Sequence, residues 1–383
     1  MNKSSEKKIW IIDSTLRDGE QAPGVVFSTG QKLVLSKMLV QSGVNELEAG
    51  IPAMGIFEQD CIKRIKALNP GTRITCWCRA APLDMELAKQ CNTGSVHISF
   101  PVSLIHMNIL KMNQDKVLEL LQQYIKSARS DFNYLSIGAQ DATRADPEFL
   151  KEFVFLACKS GADRVRIADT VGIASPKRVS RIIYDLKNNI PDIDIEFHAH
   201  NDLGMATANA VTAVQSGADA VSVTVNGLGE RAGNAALEEV CTALKFSAGQ
   251  SCSINILSLK SLCDFVARIS RRPIPAEKPV TGRAAFEHES GIHCNAMIKD
   301  PQAYESFPAE AVGRKDRKFI IGKHSGTGII SHILENLGIF IDHSQTESLL
   351  KYVKMSAIKN GKSLSVNELV LLYHQMQKQS FSG

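Results

Sequence analysis

A chain of 383 residues, 44% of them hydrophobic, is long enough to bury a large core in one big domain or in two. Its net charge of +4 is spread along the chain, with no Lys/Arg stripe interleaved with aromatics, so no nucleic-acid partner is expected. Residues 1–8 are polar and no run is long enough to span a bilayer, so a cytoplasmic protein without a membrane partner is expected.

The first element is a short apolar strand, 9–12, which ends in a dense polar cluster from Asp13 to Gln21. Ser28-Thr29-Gly30-Gln31 then fits a capping box, with helical spacing continuing to Val40. The alternation repeats. Strand-like runs fall at 44–49, 73–78, 95–100, 134–139, 164–168, 193–199 and 220–225. Helix-like runs fall between them, at 56–67, 84–91, 115–130, 147–160, 176–188, 204–216 and 234–246. Asp146-Pro147 and Ser175-Pro176 each place a cap before a first-turn proline. Eight strand–helix units over residues 1–270 predict a (β/α)₈ TIM barrel, with a doubly wound open sheet as the alternative. Asp18, Asp169, Thr170, His198, His200 and Asn226 each follow a strand, and a barrel gathers such positions at one mouth. Nine cysteines, an odd number without a C-x-x-C pair, fit buried thiols, and Cys76 and Cys78 fit core packing better than a soft metal site. From Arg271 to Pro275 the pattern breaks into a linker. Residues 271–325 are expected to be linker and lid, and 326–383 a small helical C-terminal domain with helices near 328–337, 346–358 and 366–378. The last of these opens on a capping box, Ser365 to Glu368.

His198 and His200 sit two residues apart at a strand end, so they share a face and reach one divalent cation. Asp18 is the natural third ligand, its plainer role being a turn cap. A carboxylate with two imidazoles suits Mg, Mn, Zn, Co or Fe without selecting one. Arg17 is placed to steady negative charge growing on a carbonyl, its plainer role being a salt bridge with Glu48. Gln21 adds polar groups beside them. The block from Asn226 to Asn234 follows the eighth strand and is expected to open a helix. There Gly227 and Gly229 would let backbone N–H groups meet an anion, though the spacing is not that of a dinucleotide loop. Residues His288 to His293 form either a surface turn or a mobile segment that closes over the mouth with an acid/base histidine.

These motifs resemble the α-isopropylmalate and homocitrate synthase family. Leu16 to Gln21 with Lys32 is similar to its first signature, His198 to Gly204 to its second, and Asn226 to Asn234 to a third block. Residues 286–293 and 321–326 resemble its lid segments, and the overall pattern is similar to the short homocitrate synthases linked to nitrogenase-cofactor synthesis. The resemblance implies a homodimer that condenses acetyl-CoA with a 2-oxo acid, 2-oxoglutarate first, and hydrolyses the thioester. It implies one divalent metal on Asp18, His198 and His200 with Asn234 nearby, and Arg17 stabilising an alkoxide. Gln21, Thr170 and Gln140 would hold the oxo acid, His293 and Tyr304 would enolise the acetyl group, and Asn226, Gly227 and Gly229 would meet acetyl-CoA. Two positions depart from the lysine-pathway members: Gln140 stands where they carry a glutamate, and Ser136 where an arginine grips the distal carboxylate. The tail past the lid is too short for a leucine-regulated domain, so no leucine inhibition is expected. A metal-dependent lyase that cleaves the carbon–carbon bond is the competing class.

Overall fold

The structure, a computed structural model, describes residues 8–314 and 317–380; the N-terminal segment 1–7 lies outside the described residues. The chain divides into two compact units, 1–274 and 275–383.

The first unit is built on eight strands: β1 (Trp10–Asp13), β2 (Glu46–Gly50), β3 (Arg73–Arg79), β4 (Gly94–Pro101), β5 (Tyr134–Gln140), β6 (Arg164–Asp169), β7 (Asp194–Ala199) and β8 (Ala220–Val223). They pair in sequence order as a closed barrel, β1 returning to β8 in parallel with Trp10 opposite Ala220 and Asp13 opposite Val223. The TIM barrel is therefore the fold, and the open sheet is excluded. Around it lie α1 (Thr29–Gln41), α2 (Ile56–Leu68), α3 (Pro82–Gln90), α4 (Leu104–Ile109), α5 (Gln114–Ala128), α6 (Pro147–Ser160), α7 (Pro176–Asn189), α8 (Ala206–Gln215), α9 (Leu237–Phe246) and α10 (Leu259–Ser270). Helix starts follow local chemistry. Ser28 and Gln31 form the reciprocal capping box of α1, and Asp146 and Ser175 cap α6 and α7 ahead of prolines. Sequence reading passed over α10, although Leu259, Leu262, Cys263 and Val266 are its buried stripe at helical spacing. The nine cysteines are free thiols.

Strand residues alternate between a helix-facing side and the barrel interior. Leu47, Val165, Ile167, Ile195 and Phe197 are fully or almost fully buried apolar residues. Their neighbours Glu46, Glu48, Arg164, Arg166 and Glu196 are buried ions. Arg164 grips Glu46 with both terminal nitrogens, at 2.9 and 2.8 Å, and meets Glu196 through Nε at 2.8 Å. Arg166 joins Glu196 to Glu48, the latter at 2.9 Å. Thr75 Oγ1 donates to Glu46 at 2.7 Å, and the Ser222 hydroxyl donates to Glu196. Burial alone would raise the Glu46 carboxyl, but Arg164 outweighs it and holds it below its ordinary range.

The second unit holds α11 (Gly291–Lys299), α12 (Thr327–Glu335), α13 (His343–Asn360) and α14 (Val366–Ser380). Two short strands, β9 (Glu287–His288) and β10 (Lys318–Phe319), pair in parallel. Cys294 and Ile321, from the span expected to be a separate lid, share one core with Ile329, Leu334, Leu349, Val353 and Leu369 of the helical tail. The expected division at 325/326 therefore does not separate two bodies. The Ser365–Glu368 capping box forms, and no helix among the described residues is long and apolar enough to cross a membrane.

Glu46→Gln leaves Arg164 a buried cation with half its compensation, and is expected to cost about 3–5 kcal/mol of barrel stability. Trp10 and Trp77, the chain's two tryptophans, both lie in the barrel, so the urea midpoint of intrinsic fluorescence measures this loss.

Candidate active site at the barrel mouth

The turn after β1 starts from Asp13, whose carboxylate accepts from the Thr15 N–H and hydroxyl. Thr15 Oγ1 in turn accepts from the Val225 N–H at 2.9 Å, so the turn is tied to the end of β8. This sets Asp18 over the barrel. Asp18 makes no cap bond at the turn it opens, which excludes its plainer role. His198 is the penultimate residue of β7 and His200 lies just beyond it. Their Nε2 atoms stand 3.2 Å apart, and lie 3.1 and 3.7 Å from Asp18 Oδ2. The three side chains are buried.

Asn234 reaches the same place by a different route. The segment after β8 pairs back on the end of β7: Ala235 N–H donates to Ala199, Asn201 N–H donates to Gly233, and His200 bridges Asn234. Gly233 has φ +89, and a Cβ there would stand 2.0 Å from the Gly227 carbonyl oxygen, so only glycine makes this crossing. Asn234 Nδ2 donates to the Leu228 carbonyl, while its Oδ1 is buried without a hydrogen-bond partner, as is Asp18 Oδ2. Two buried oxygens without donors beside two convergent imidazole nitrogens fit a divalent cation. Neutral imidazoles cannot both donate across the gap, whereas a cation uses both lone pairs.

Arg17 pairs with Glu48 through Nε at 2.7 Å and Nη2 at 2.6 Å, and with Asp18 at 3.4 Å. The salt bridge is thus real, and it aims the guanidinium into the mouth. Burial would raise the Asp18 carboxyl, but Arg17 and the two imidazoles hold it well below the carboxylate range. Burial and the neighbouring His198 push His200 down to about 4.

These groups open on a cavity of about 240 Å³ lined by Arg17, Asp18, Gln21, Gln140, Thr170, His198 and His200. Thr170 Oγ1 accepts from the Asp141 N–H. Asn226, Gly227 and Gly229 are not among the lining residues. The helix expected to open at this block begins at Leu237 instead. Asn226 takes φ 60 in a tight turn, and its Nδ2 donates to the Cys263 carbonyl, while its Oδ1 is buried without a hydrogen-bond partner. In the second unit, His293 and Tyr304 stack with ring centroids 3.9 Å apart. His293 lies on α11, a regular helix, so of the two expectations for this segment the surface turn does not hold at His293. Cys294, Met297 and Ile298 had marked it at helical spacing.

The sequence reading missed Trp77, His97, Ser99, Gly138, Arg166, Glu230 and Arg231, which also line the cavity. For most of them a signal existed. Polar residues at every second strand position, His97 and Ser99 on β4 or Arg164 and Arg166 on β6, point into a barrel. Burial and Arg166 hold His97 well below its ordinary range. Arg231 closes the rim by gripping Asp202 at 2.7 Å and the Thr170 carbonyl at 2.8 Å.

Because His97 and His200 are neutral in the fold, the unfolded chain takes up more protons than the metal-free native state below about pH 6.5. Stability of the metal-free protein is therefore expected to fall as pH drops from 6.5 toward 4.5, by about 1.4 kcal/mol per pH unit for each such histidine, less a contribution of the same size and opposite sign from Asp13, whose carboxyl burial pushes up to about 7. Urea midpoints across that range check this; a flat profile contradicts it.

A family profile described as HMGL-like matches residues 8–266, and one described as "Homocitrate synthase post-HMGL domain-like" matches 280–361. Homocitrate synthase 1 of Nostoc sp. is 40% identical over 97% of this chain and 98% of its own. The 2-isopropylmalate synthase 2 of Caldanaerobacter subterraneus subsp. tengcongensis is 40% identical over 97% and 96%. An (R)-citramalate synthase of Methanocaldococcus jannaschii is 39% identical over 90% of this chain and 70% of its own. Among solved structures, the HMG-CoA lyase of Brucella melitensis superposes with a TM-score of 0.62 at 18% identity, covering 69% of this chain and 99% of that one, a likeness of fold. Barrel, convergent mouth and near-full-length relatives agree: the chain belongs to the HMGL-like family, among its acetyl-CoA-dependent condensing enzymes.

Proposed function

We propose that the protein condenses acetyl-CoA with 2-oxoglutarate and hydrolyses the thioester, giving homocitrate and CoA. The observation that carries this reading is the meeting of Asp18, His198 and His200 beside Arg17 in a buried mouth, in a chain whose near-full-length relatives include homocitrate synthases. The same chemistry on 2-oxoisovalerate, pyruvate or oxaloacetate is the alternative.

In this reading Asp18, His198, His200 and Asn234 hold one divalent ion. Bound there, it supplies Lewis acidity toward the acceptor's keto oxygen. Gln21, Thr170 and Gln140 orient the oxo acid. Arg17, fixed by Glu48, donates to the oxygen that gains charge as the carbon–carbon bond forms. The acetyl methyl must lose a proton for that bond to form. His293 takes it, with the stacked Tyr304 ring steadying the imidazole. Gln140 is an amide and accepts no proton, so His293 works without a carboxylate at that position. Water then cleaves the C–S bond, leaving a carboxylate and the CoA thiol. Asn226, Gly227 and Gly229 act by shaping the loop that carries Asn234. A cytoplasmic homodimer is the setting that the resemblance favours, with the product serving nitrogenase-cofactor synthesis. The lyase reading is the weaker one: residues 229–231, Gly-Glu-Arg, offer no cysteine for thioester-bound cleavage chemistry.

CoA release with the four acids decides the acceptor: 2-oxoglutarate is expected to lead, and finding it the poorest of the four ends the homocitrate reading. Arg17→Gln is expected to lower kcat by about 100- to 1,000-fold with metal content retained. His198→Ala is expected to lose metal and turnover together, measured by elemental analysis and CoA release.

A further inference from the structure

We propose that Arg166 and His97 form the receptor for the far end of the acceptor, and that this end carries a carboxylate. The inference rests on the synthase reading and names the substrate class of the same cavity.

Strand register sets the depth. Gly138 on β5 lies opposite Ser99 on β4 and Arg166 on β6. Inward side chains recur every second residue, about 6–7 Å along a strand. Along its own strand, each of His97, Gly138 and Arg166 is therefore one step deeper than Ser99, Gln140 and Ala168 respectively, and all six line the cavity; by register His97, opposite Ser136, lies a row below Gly138 and Arg166. The Asp18, His198 and His200 cluster lies at the mouth. An oxo acid held there by its keto end points its other end at this floor.

The floor carries a buried donor that makes no hydrogen bond within the fold. Arg166 is 3% exposed. Its Nη1 meets Glu48 and its Nε meets Glu196, but Nη2 is buried without a hydrogen-bond partner. A guanidinium donor left this way carries its full desolvation cost until an oxygen arrives. His97 is 1% exposed. Its Nδ1 engages Ser136 Oγ at 2.8 Å. Its Nε2 lies 2.5 Å from where a Cβ on residue 138 would sit, so Gly138 is what admits the ring. In the tautomer whose Nδ1 accepts the serine proton, Nε2–H is the remaining donor, and burial keeps the ring neutral. Ser136 is consumed in orienting His97 and is not itself the receptor. An alkyl end would bury both donors unsatisfied, whereas a carboxylate has an oxygen for each.

The test is calorimetric binding to Mn²⁺-loaded protein, comparing 2-oxoglutarate with 2-oxovalerate, a five-carbon acid that ends in a methyl group. The wild type is expected to bind the dicarboxylate about a hundredfold more tightly. His97→Leu and Arg166→Lys are each expected to narrow that ratio by about tenfold or more. His97 is outside the buried ion pairs, so His97→Leu keeps the test decisive should Arg166→Lys fail to fold. Equal or tighter binding of 2-oxovalerate by the wild type overturns the proposal, as does a ratio left within about twofold by His97→Leu. Selective binding of the dicarboxylate without CoA release from any of the four acids supports the receptor and overturns the synthase reading instead.

Discussion

The barrel depends on burying ions only in company. Lone charges in a closed interior are prohibitively costly, so each must find an opposite one. Here Glu46 and Glu48 of β2, Arg164 and Arg166 of β6 and Glu196 of β7 interlock across the interior, and Arg17 joins through Glu48. These pairs add little net stability over an apolar core of the same shape, but breaking one strands its partner. What they provide is position. The chain of contacts runs from the floor to Arg17, which abuts Asp18, so the reactive end is oriented before any ligand enters.

The other half of the mouth is held by backbone rather than charge. The segment from Asn226 to Ala236 returns to the end of β7 and brings Asn234 against His200, a path that the glycines at 227, 229 and 233 permit. Arg231, on the same segment, ties Asp202 and Thr170 together. One loop thereby fixes elements that follow β6, β7 and β8.

Periodicity and caps made the barrel legible, because each strand–helix unit carries its own local signals: Ser28 with Gln31, Asp146 before Pro147, Ser175 before Pro176. The convergence of Asp18 with His198 and His200 was legible for the same reason, since strand ends in a barrel share one mouth. The cavity floor was not seen, although Glu46, Glu48, Arg164 and Arg166 alternate plainly in the sequence. A charge at every second position reads equally as a solvated face until closure of the sheet turns that face inward. The anchoring of Asn226 was not legible, because it rests on a long-range contact, the Cys263 carbonyl, on a helix that the strand–helix rhythm does not include.

Thr15 and Val225 are hydrogen-bonded across 210 residues of chain. That single bond orders events during synthesis. The first strand leaves the ribosome carrying one prospective ligand and must wait, unpaired on one edge, until the eighth strand has been made. Only then do carboxylate and imidazoles meet. A cation bound there would meet its full set of ligands only in a finished barrel, unlike the ion of a zinc finger, which nucleates the fold that receives it.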